Sequence, residues 1–225
     1  MKKKLVKNKD GLLTVNIKPN EKKLRKFYKD DYYQKNLSKS YKKKYSYDEI
    51  KFNELYFKLS KLFFKKKHKT ILDIGAGEGY LLSFFKKYNY KCYGVDYSLY
   101  GIKNHNPKLL KKVEFINCDI IKDDFFLGKQ FDIIFLMGVA EHVSNFNILI
   151  KKIYKKLKKN GILIIKVPNE YDIIHKKYLK NNNLKKEQLE IFNPLHHLNY
   201  FNKESLKRSI TNNVNLKCVT MYSDF

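Results

Sequence analysis

Short apolar runs alternate with apolar residues at helical spacing from about residue 68 onward. The runs are rich in β-branched and aromatic residues, and turn-forming residues or acids follow them, as expected for buried strands. We predict six strands, at residues 70–74, 92–95, 113–118, 131–137, 161–167 and 214–222. This alternation predicts an α/β fold, with a Rossmann-like, doubly wound and mostly parallel sheet.

The N-terminal region lacks this alternation. Residues 12–17 form a short apolar run that fits either a tail or an edge strand, and a stretch rich in Tyr and Lys follows. Helical spacing predicts a helix from Asp48 to Lys67. The apolar residues that recur at this spacing are Phe52, Leu55, Tyr56, Leu59, Leu62 and Phe63. We expect residues 1–47 to form a tail and an aromatic or helical cap that precedes this helix.

The remaining residues, 48–225, are enough for one domain with a sizeable core. Within it, segment 168–200 separates the fifth strand from the last helix, and by position we expect it to roof a substrate pocket as a lid. Asn202 is predicted to cap the last helix. Asn160 and Asn213 are predicted to end helices, Asn213 in the left-handed conformation.

A glycine-rich loop follows the first strand of this domain and precedes a helix. It runs from Asp73 to Gly79, with glycine at every second position from Gly75. Glycine allows positive φ values and a close approach of ligand to backbone. A dinucleotide fingerprint would need its third glycine at position 80, which is Tyr80, and the lysine of a phosphate-binding P-loop is absent. The glycine spacing therefore excludes a dinucleotide site of this type and a P-loop, and it favours a different ligand.

An acidic residue ends each of three successive strands, at Asp73, Asp96 and Asp119. Ligands of open α/β sheets bind at the carboxyl ends of the strands. Asp96 can accept hydrogen bonds from a ribose diol, and Asp119 can accept one from an exocyclic amine while Ile120 packs on a purine. Each acid alone is more often a helix cap or a surface residue, but three in register favour a nucleoside ligand.

Together these motifs resemble those of class I S-adenosylmethionine-dependent methyltransferases. The motifs are Asp73–Gly79, Val95–Ser98, Cys118–Ile120, Phe131–Val143 and His197–Leu206. The resemblance covers roughly residues 25 to 222. It is closest to the subgroup of ubiquinone-biosynthesis O-methyltransferases and bacterial glycan- or antibiotic-tailoring enzymes. It implies an enzyme that uses S-adenosylmethionine and releases S-adenosylhomocysteine.

The resemblance also implies a role for each matching residue. The implied cofactor-binding residues are Asp73, Gly75, Ala76, Gly77, Gly79, Asp96, Tyr97, Asp119, Ile120, Met137 and Gly138. In this interpretation the loop lies against the methionine part of the cofactor. Asp96 holds the ribose hydroxyls, and Asp119 with Ile120 recognises adenine.

Catalysis would need little beyond alignment, because the cofactor carries an activated methyl group. A hydroxyl acceptor also benefits from a general base, for which His142 and His197 are candidates with Glu141 as a partner. For both histidines a purely structural role is at least as well supported by sequence. The candidate substrate-binding residues are Tyr33, Tyr171, His175 and His196.

A metal ion is not expected. The ubiquinone subgroup has a Glu-x-x-Glu-His arrangement that suggests a metal, but the matching stretch here has Gly138 in place of the first carboxylate. Only two ligands, Glu141 and His142, would remain, so we also expect no catechol substrate. The isolated cysteines, Cys92, Cys118 and Cys218, indicate neither a zinc site nor a disulfide framework.

The chain is strongly basic, with a formal net charge of +26. Nearly all of its basic residues are Lys, which fits either a low-GC genome or an anionic partner. Only Arg25 and Arg208 are Arg, too few to favour nucleic-acid recognition. The Asp/Asn-Pro-Pro-aromatic motif of enzymes that methylate base amino groups is also absent, so a nucleic-acid partner is disfavoured.

The sequence thus predicts a cytoplasmic enzyme, monomeric or homodimeric, without a signal peptide or a membrane span. Its substrate would be a polar small molecule, neutral or anionic. We expect O-methylation of a sugar, or of a phosphorylated or nucleotide-linked glycan precursor as in bacterial capsule synthesis. An RNA-directed methyltransferase, a small-molecule N-methyltransferase and a cofactor-binding module without catalysis remain open alternatives.

Overall fold

A computed structural model of the chain describes residues 5–16, 46–169 and 197–221. The elements in chain order are β1 (Leu5–Lys7), β2 (Leu13–Val15), α1 (Tyr47–Lys61), β3 (Thr70–Ile74), α2 (Tyr80–Lys87), β4 (Lys91–Asp96), α3 (Tyr100–His105), α4 (Pro107–Leu110), β5 (Glu114–Asn117), β6 (Phe131–Met137), α5 (Phe146–Lys156), β7 (Leu157–Lys166), β8 (Asn199–Tyr200) and α6 (Lys203–Thr211). None of the described helices is long and apolar enough to cross a membrane.

The chain separates into two compact units. The first, here called the sheet unit, comprises Lys22–Met137 and Lys155–Ile165. The second unit comprises Met1–Glu21, Gly138–Tyr154 and Lys166–Phe225. These units do not coincide with the predicted domains, and the domain boundary at residue 47 stays a prediction.

A five-stranded sheet of order β5-β4-β3-β6-β7 forms the centre of the sheet unit. β3 pairs in parallel with β4 and with β6, and β4 pairs in parallel with β5. The chain runs outward from β3 to β5 and then continues on the other side of β3 with β6. Strand order therefore reverses beside β3, where ligands bind in doubly wound sheets. The predicted α/β fold is confirmed.

Helix α1 is present, but its buried face differs from the predicted one. Phe57 is 3% exposed, whereas Phe52 and Leu55, which belong to the apolar set used to predict the helix, are 56% and 46% exposed. Apolar residues occur on more than one side of this helix, so spacing alone could not identify the buried side. The helix also ends at Lys61 rather than Lys67, because the N–H of Leu62 donates to the carbonyl of Leu59 in a tighter turn.

The end of α5 also lies earlier than predicted. The helix ends at Lys156, and β7 begins at Leu157. Asn160 does adopt a left-handed φ of 62°, but it lies inside β7 rather than at the end of a helix. A Cβ at Gly161 would lie 2.9 Å from Leu157, so this bend in the strand requires glycine.

The second unit contains a three-stranded sheet of order β1-β2-β8 with antiparallel pairing. The apolar run at residues 12–17 therefore includes the middle strand of a sheet, rather than a tail or an edge strand. Helix α6 begins as predicted, since the side chain of Asn202 accepts a hydrogen bond from the N–H of Ser205.

The last predicted strand is wrong over the described residues 214–221, which contain no strand. The N–H of Leu216 donates to the carbonyl of Val214, a tight turn that an extended strand cannot contain. Asn213 is not left-handed either. Its backbone N–H continues the helical pattern by donating to the carbonyl of Ile210.

Asp132, at the start of β6, ties three parts of the sheet unit together. Its carboxylate accepts hydrogen bonds from the N–H groups of Lys69 and Thr70, both at 2.9 Å, and from the Lys158 ammonium at 3.1 Å. Burial alone would raise the pKa of this carboxyl. The hydrogen bonds more than offset that effect and lower the pKa to about 2.

We expect Asp132→Ala to lower the free energy of unfolding by roughly 2–4 kcal/mol, because it leaves the half-buried N–H groups of Lys69 and Thr70 without their acceptor. Urea denaturation measures this change. Glu114→Ala is a matched control, since it removes a carboxylate from an exposed ion pair with Lys129. The structural role of Asp132 would be contradicted if the two variants lost equal stability.

Candidate functional site

The glycine-rich loop lies directly after β3, at the carboxyl edge of the sheet. Gly75, Gly77 and Gly79 have φ values of 76°, 53° and 72°, which lie in the left-handed region that favours glycine. The N–H groups of Gly75 and Ala76 donate to the carbonyl of Val95 at 2.8 and 3.1 Å. The loop is therefore tied to the neighbouring strand β4 through its backbone.

Asp96 fixes the loop through its side chain. Its buried carboxylate accepts hydrogen bonds from the N–H of Gly77 at 2.8 Å and from the N–H of Ser98 at 3.0 Å. The same carboxylate thus holds the loop after β3 and the turn after β4. Because a carboxylate can accept about four hydrogen bonds, this position can orient a ligand diol while it holds the loop.

Asp73 is the second-last residue of β3, just before the glycine loop, and it is buried. Burial, and secondarily the charge of Asp96, raise the pKa of Asp73 to about 7. Two acids in a water-poor site repel each other, so a cation placed beside them would be favoured. The pair therefore fits a positively charged ligand.

The raised pKa of Asp73 gives stability a specific pH dependence. Well below the ordinary pKa of 3.8 this carboxyl is protonated in both the folded and the unfolded chain. As pH rises towards 7, ionisation favours the unfolded chain, so we expect Asp73 to cost the ligand-free fold roughly 2–4 kcal/mol by pH 7. Asp73→Asn should remove this loss, so the stability difference between the variant and the wild type should grow from pH 4 to pH 7. A difference independent of pH, in denaturation series, would contradict this interpretation.

Two residues that were not predicted from the sequence complete the support of the loop. A Cβ on Gly101, in α3, would lie 3.0 Å from the backbone of Gly77, so helix and loop touch directly. The Asn106 amide donates to the carbonyl of Glu78 at 3.0 Å. A glycine inside a helix is unfavourable, and this was the available sequence signal for Gly101.

Asp119 lies two residues beyond β5. The N–H of Cys118 donates to the carbonyl of Asp96, which places Asp119 at the same edge of the sheet as the loop. The Asp119 carboxylate also accepts a hydrogen bond from the N–H of Ile121, as a turn-capping side chain does. The predicted grouping of acids is thus observed, while a role for Asp119 and Ile120 in adenine binding stays a prediction.

The second unit brings together the residues predicted for catalysis. Glu141, His142 and His197 each offer a ligand atom, and these atoms lie within 4.8 Å of one another. The ring centroids of the two histidines are 4.9 Å apart, and Glu141 Oε1 lies 3.9 Å from His142 Nε2. Glu141 and His197 are buried, so their charges and protons would act in a low-dielectric environment. We call these three residues the imidazole–carboxylate cluster.

Asn199 holds this cluster in place, and it was not predicted from the sequence. Its side-chain amide donates to the carbonyls of Ala140 and Val143 at 2.9 and 2.8 Å. The N–H groups of Leu198 and Asn199 donate to the carbonyl of Glu141. The loop that carries Glu141 is thereby clamped to the segment that carries His197. Nothing in the local sequence pattern reveals such a contact across more than 50 residues.

The cluster changes the ligand count on which the expectation of no metal was based. That expectation counted only the residues after β6, whereas the structure adds a third donor from the segment before β8. Two imidazoles and a carboxylate form a donor set that binds zinc or iron in other proteins. The cluster therefore has the chemistry for either proton transfer or metal binding.

Of the other predicted site residues, Met137 and Gly138 lie in the part of the chain that the structure describes. Met137, at the end of β6, packs against the core of the sheet unit. Gly138 has a φ of 65°, and its N–H donates to the carbonyl of Lys166. The four predicted substrate-binding residues lie outside the described residues. They are Tyr33, Tyr171, His175 and His196.

Comparison with known sequences supports the interpretation of the loop. Residues 47–220 match a family model described as a methyltransferase domain. The chain is 34% identical over 109 residues to a ubiquinone biosynthesis O-methyltransferase of Pelagibacter ubique, which is 46% of this chain and 44% of that protein. It is 29% identical over 118 residues to a probable (S)-tetrahydroprotoberberine N-methyltransferase of Papaver bracteatum, which is 50% of this chain and 32% of that protein. The chain thus spans less than half the length of these curated relatives.

Comparison with solved structures supports the fold. A plantazolicin methyltransferase in complex with S-adenosylhomocysteine has a TM-score of 0.62 and 24% sequence identity. The match covers 84% of this chain and 72% of that chain. Together with the family match over residues 47–220, the parallel sheet and the glycine loop, it shows that the chain belongs to the class I S-adenosylmethionine-dependent methyltransferase family.

Proposed function

We propose that this chain transfers the methyl group of S-adenosylmethionine to an oxygen atom of a polar small molecule. The observation that carries this proposal is the glycine loop held by Asp96 beside Asp73 at the carboxyl edge of the sheet. This geometry supports a nucleoside ligand that carries positive charge, and the family match supports the same cofactor.

The residues around the loop fit that cofactor. The glycines leave room for close backbone contact with the methionine part, and Asp96 would hold the ribose hydroxyls. Asp119 and Ile120 would bind adenine. When bound, the cofactor supplies a methyl group on a cationic sulfur. Its positive charges would lie near the acid pair, which would lower the pKa of Asp73 and relieve the cost of ionising it.

The imidazole–carboxylate cluster would activate the acceptor. A hydroxyl is a poor nucleophile until a base removes its proton, and such a base typically contributes about 10²- to 10⁴-fold to the rate. His142 or His197 would accept the proton, and Glu141 would stabilise the resulting imidazolium. A cluster of this kind supports oxygen as the acceptor atom, because hydroxyl groups gain most from a base.

We propose a sugar, or a phosphorylated or nucleotide-linked glycan precursor, as the substrate class. The net charge of +26 would favour an anionic substrate by electrostatic attraction. The 34% identity to an O-methyltransferase supports the type of bond that is formed.

The test is incubation with methyl-labelled S-adenosylmethionine and three groups of acceptors: free sugars, sugar phosphates and nucleotide-linked sugars. We expect label in an anionic sugar product, and none with the Asp96→Ala variant as enzyme. Transfer of the labelled methyl group only to water or to the protein itself would contradict the proposal. Assays with and without a chelator, followed by added zinc or magnesium, separate a base mechanism from a metal-dependent one.

N-methylation of a small molecule is the second candidate. It is favoured by the identity of 29% to a plant N-methyltransferase. Mass-spectrometric fragmentation of the product distinguishes the two, since a methyl ether and a methylamine give different fragment ions. Label found on amine acceptors and absent from sugars would replace the O-methylation proposal by this one.

A further inference from the structure

A cavity of about 280 Å³ opens on the surface of the sheet unit, away from the glycine loop. Two turns form it: Lys65–Lys69 before β3, and Tyr88–Tyr90 before β4. The turns are joined by a hydrogen bond from the N–H of Lys91 to the carbonyl of Lys69 at 2.8 Å. The cavity is therefore built from the ordered ends of two paired strands.

This cavity lies at the opposite end of the strands from the candidate cofactor site. The turns precede the amino ends of β3 and β4, whereas the glycine loop and Asp96 lie at their carboxyl ends. Five residues of β3 separate the two ends, which corresponds to about 16 Å. A ligand in the cavity would not contact the cofactor loop.

The cavity is lined by positive charge, and the nearby Asp132 carboxylate is already paired with the Lys158 ammonium. Three ammonium groups border it, those of Lys65, Lys66 and Lys69, and no acidic side chain lines it. Within the described ranges none of these lysines forms an ion pair. By contrast, Lys158 and Lys129, elsewhere in the same unit, pair with carboxylates. Uncompensated lysines around a concave surface raise the local potential and attract anions.

His68 adds a buried donor to this lining. It is 3% exposed, and its Nδ1 accepts a hydrogen bond from the N–H of Lys65, so Nε2 carries the proton. Burial lowers the pKa of His68, whereas the nearby charge of Asp132 and the backbone carbonyl of Asn160 oppose this effect. Nε2 is buried beside the backbone carbonyl of Asn160, but no acceptor in the described residues meets it in good hydrogen-bond geometry. A buried donor of this kind would be satisfied by an acceptor oxygen.

The aromatic residues argue against stacking of a nucleobase in the cavity. Tyr88 already stacks on Phe57, with ring centroids 4.9 Å apart and an angle of 22° between the planes. The ammonium of Lys61 lies 4.6 Å from the Tyr88 centroid. The Tyr90 ring contacts Phe64 and Phe85 edge to face. These rings shape the wall, and single-stranded nucleic acid would need stacking faces that they do not offer.

We propose that this cavity is a second, non-catalytic binding site for the phosphate group of a small phosphorylated molecule. Its volume lies just below the usual range for ligand pockets, about 300–1,000 Å³, which fits a compact ligand rather than a whole dinucleotide. The shared chemistry is a phosphate dianion, whether inorganic phosphate or a phosphomonoester. This inference does not depend on the proposed methyl transfer.

The test is titration of the full chain with inorganic phosphate and with glucose 1-phosphate, followed by NMR of the histidine ring. We expect saturable binding that shifts the His68 resonances, and at least a tenfold loss of affinity in the Lys66→Gln/Lys69→Gln variant. The control is Lys111→Gln/Lys112→Gln, which removes two exposed lysines of the same unit and should bind like the wild type. Tighter binding of the ester than of phosphate would identify the phosphomonoester as the ligand, and equal binding would identify phosphate alone.

Three results would overturn the proposal. Equal losses in both double variants would mean a diffuse charge effect, and binding without saturation would mean that no site exists. Binding of a single-stranded oligonucleotide that depends on Lys66 and Lys69 and exceeds that of glucose 1-phosphate would assign the cavity to nucleic acid. Affinity for S-adenosylhomocysteine, measured in the same variants, reports on the cofactor site separately and should not change.

Discussion

Replacing Asp96 with alanine is expected to reduce the affinity for S-adenosylhomocysteine by about 100-fold or more. The carboxylate accepts hydrogen bonds from the N–H groups of Gly77 and Ser98, and a ribose hydroxyl would be a further partner. A hydrogen bond to a charged group contributes about 1.5–3 kcal/mol, so loss of the ribose contact alone accounts for about 10- to 100-fold. Loss of the Gly77 contact adds to this effect, because the released loop must be ordered again when the ligand binds. Isothermal titration calorimetry measures it directly.

Two further variants make this result specific to Asp96. Asp96→Asn keeps one acceptor oxygen but loses the charge, so we expect an intermediate affinity. Asp124→Ala removes an exposed acid after β5 and should bind like the wild type. An Asp96→Ala protein that bound within about threefold of the wild type would remove Asp96 from the cofactor site.

The second large effect is expected at the imidazole–carboxylate cluster. His142→Ala and His197→Ala should each lower kcat by about 10²- to 10⁴-fold if the cluster supplies the general base. The affinity for S-adenosylhomocysteine should change little, because neither histidine is among the residues implied to bind that ligand. Steady-state kinetics on the identified acceptor, with calorimetry in parallel, provides both quantities.

His105→Ala is the matched control for these variants, since His105 has no assigned role in the site. A loss of kcat as large as that of His142→Ala would indicate a general effect of histidine removal on the fold. Unchanged kcat in both cluster variants would assign His142 and His197 to structural roles, which the sequence also allowed.

Much of the sheet unit could be predicted because its strands carry a strong local signal. Strands β3 and β6 are nearly continuous apolar runs and are buried, as central parallel strands must be. The glycine loop and Asp96 follow directly from that prediction, because topology alone brings the ends of neighbouring strands together. Strand order was thus enough to group the acids, without any knowledge of side-chain contacts.

The remaining features depend on contacts between distant residues. The buried side of α1 is set by Phe57, which local spacing cannot distinguish from Phe52. The clamp by Asn199 joins residues more than 50 positions apart. The strand predicted near Val214 had suitable composition, but the described chain makes a tight turn there, in which the N–H of Leu216 donates to the carbonyl of Val214.

The most direct test of the cofactor site is a crystal structure determined in the presence of S-adenosylhomocysteine. Binding at the glycine loop predicts electron density for the ligand at the carboxyl ends of β3, β4 and β5. The ribose hydroxyls should lie within hydrogen-bonding distance of Asp96, with adenine beside Asp119 and Ile120. Density for the ligand elsewhere on the chain, or an ordered glycine loop that remains empty at saturating ligand, would contradict a cofactor site at this edge of the sheet.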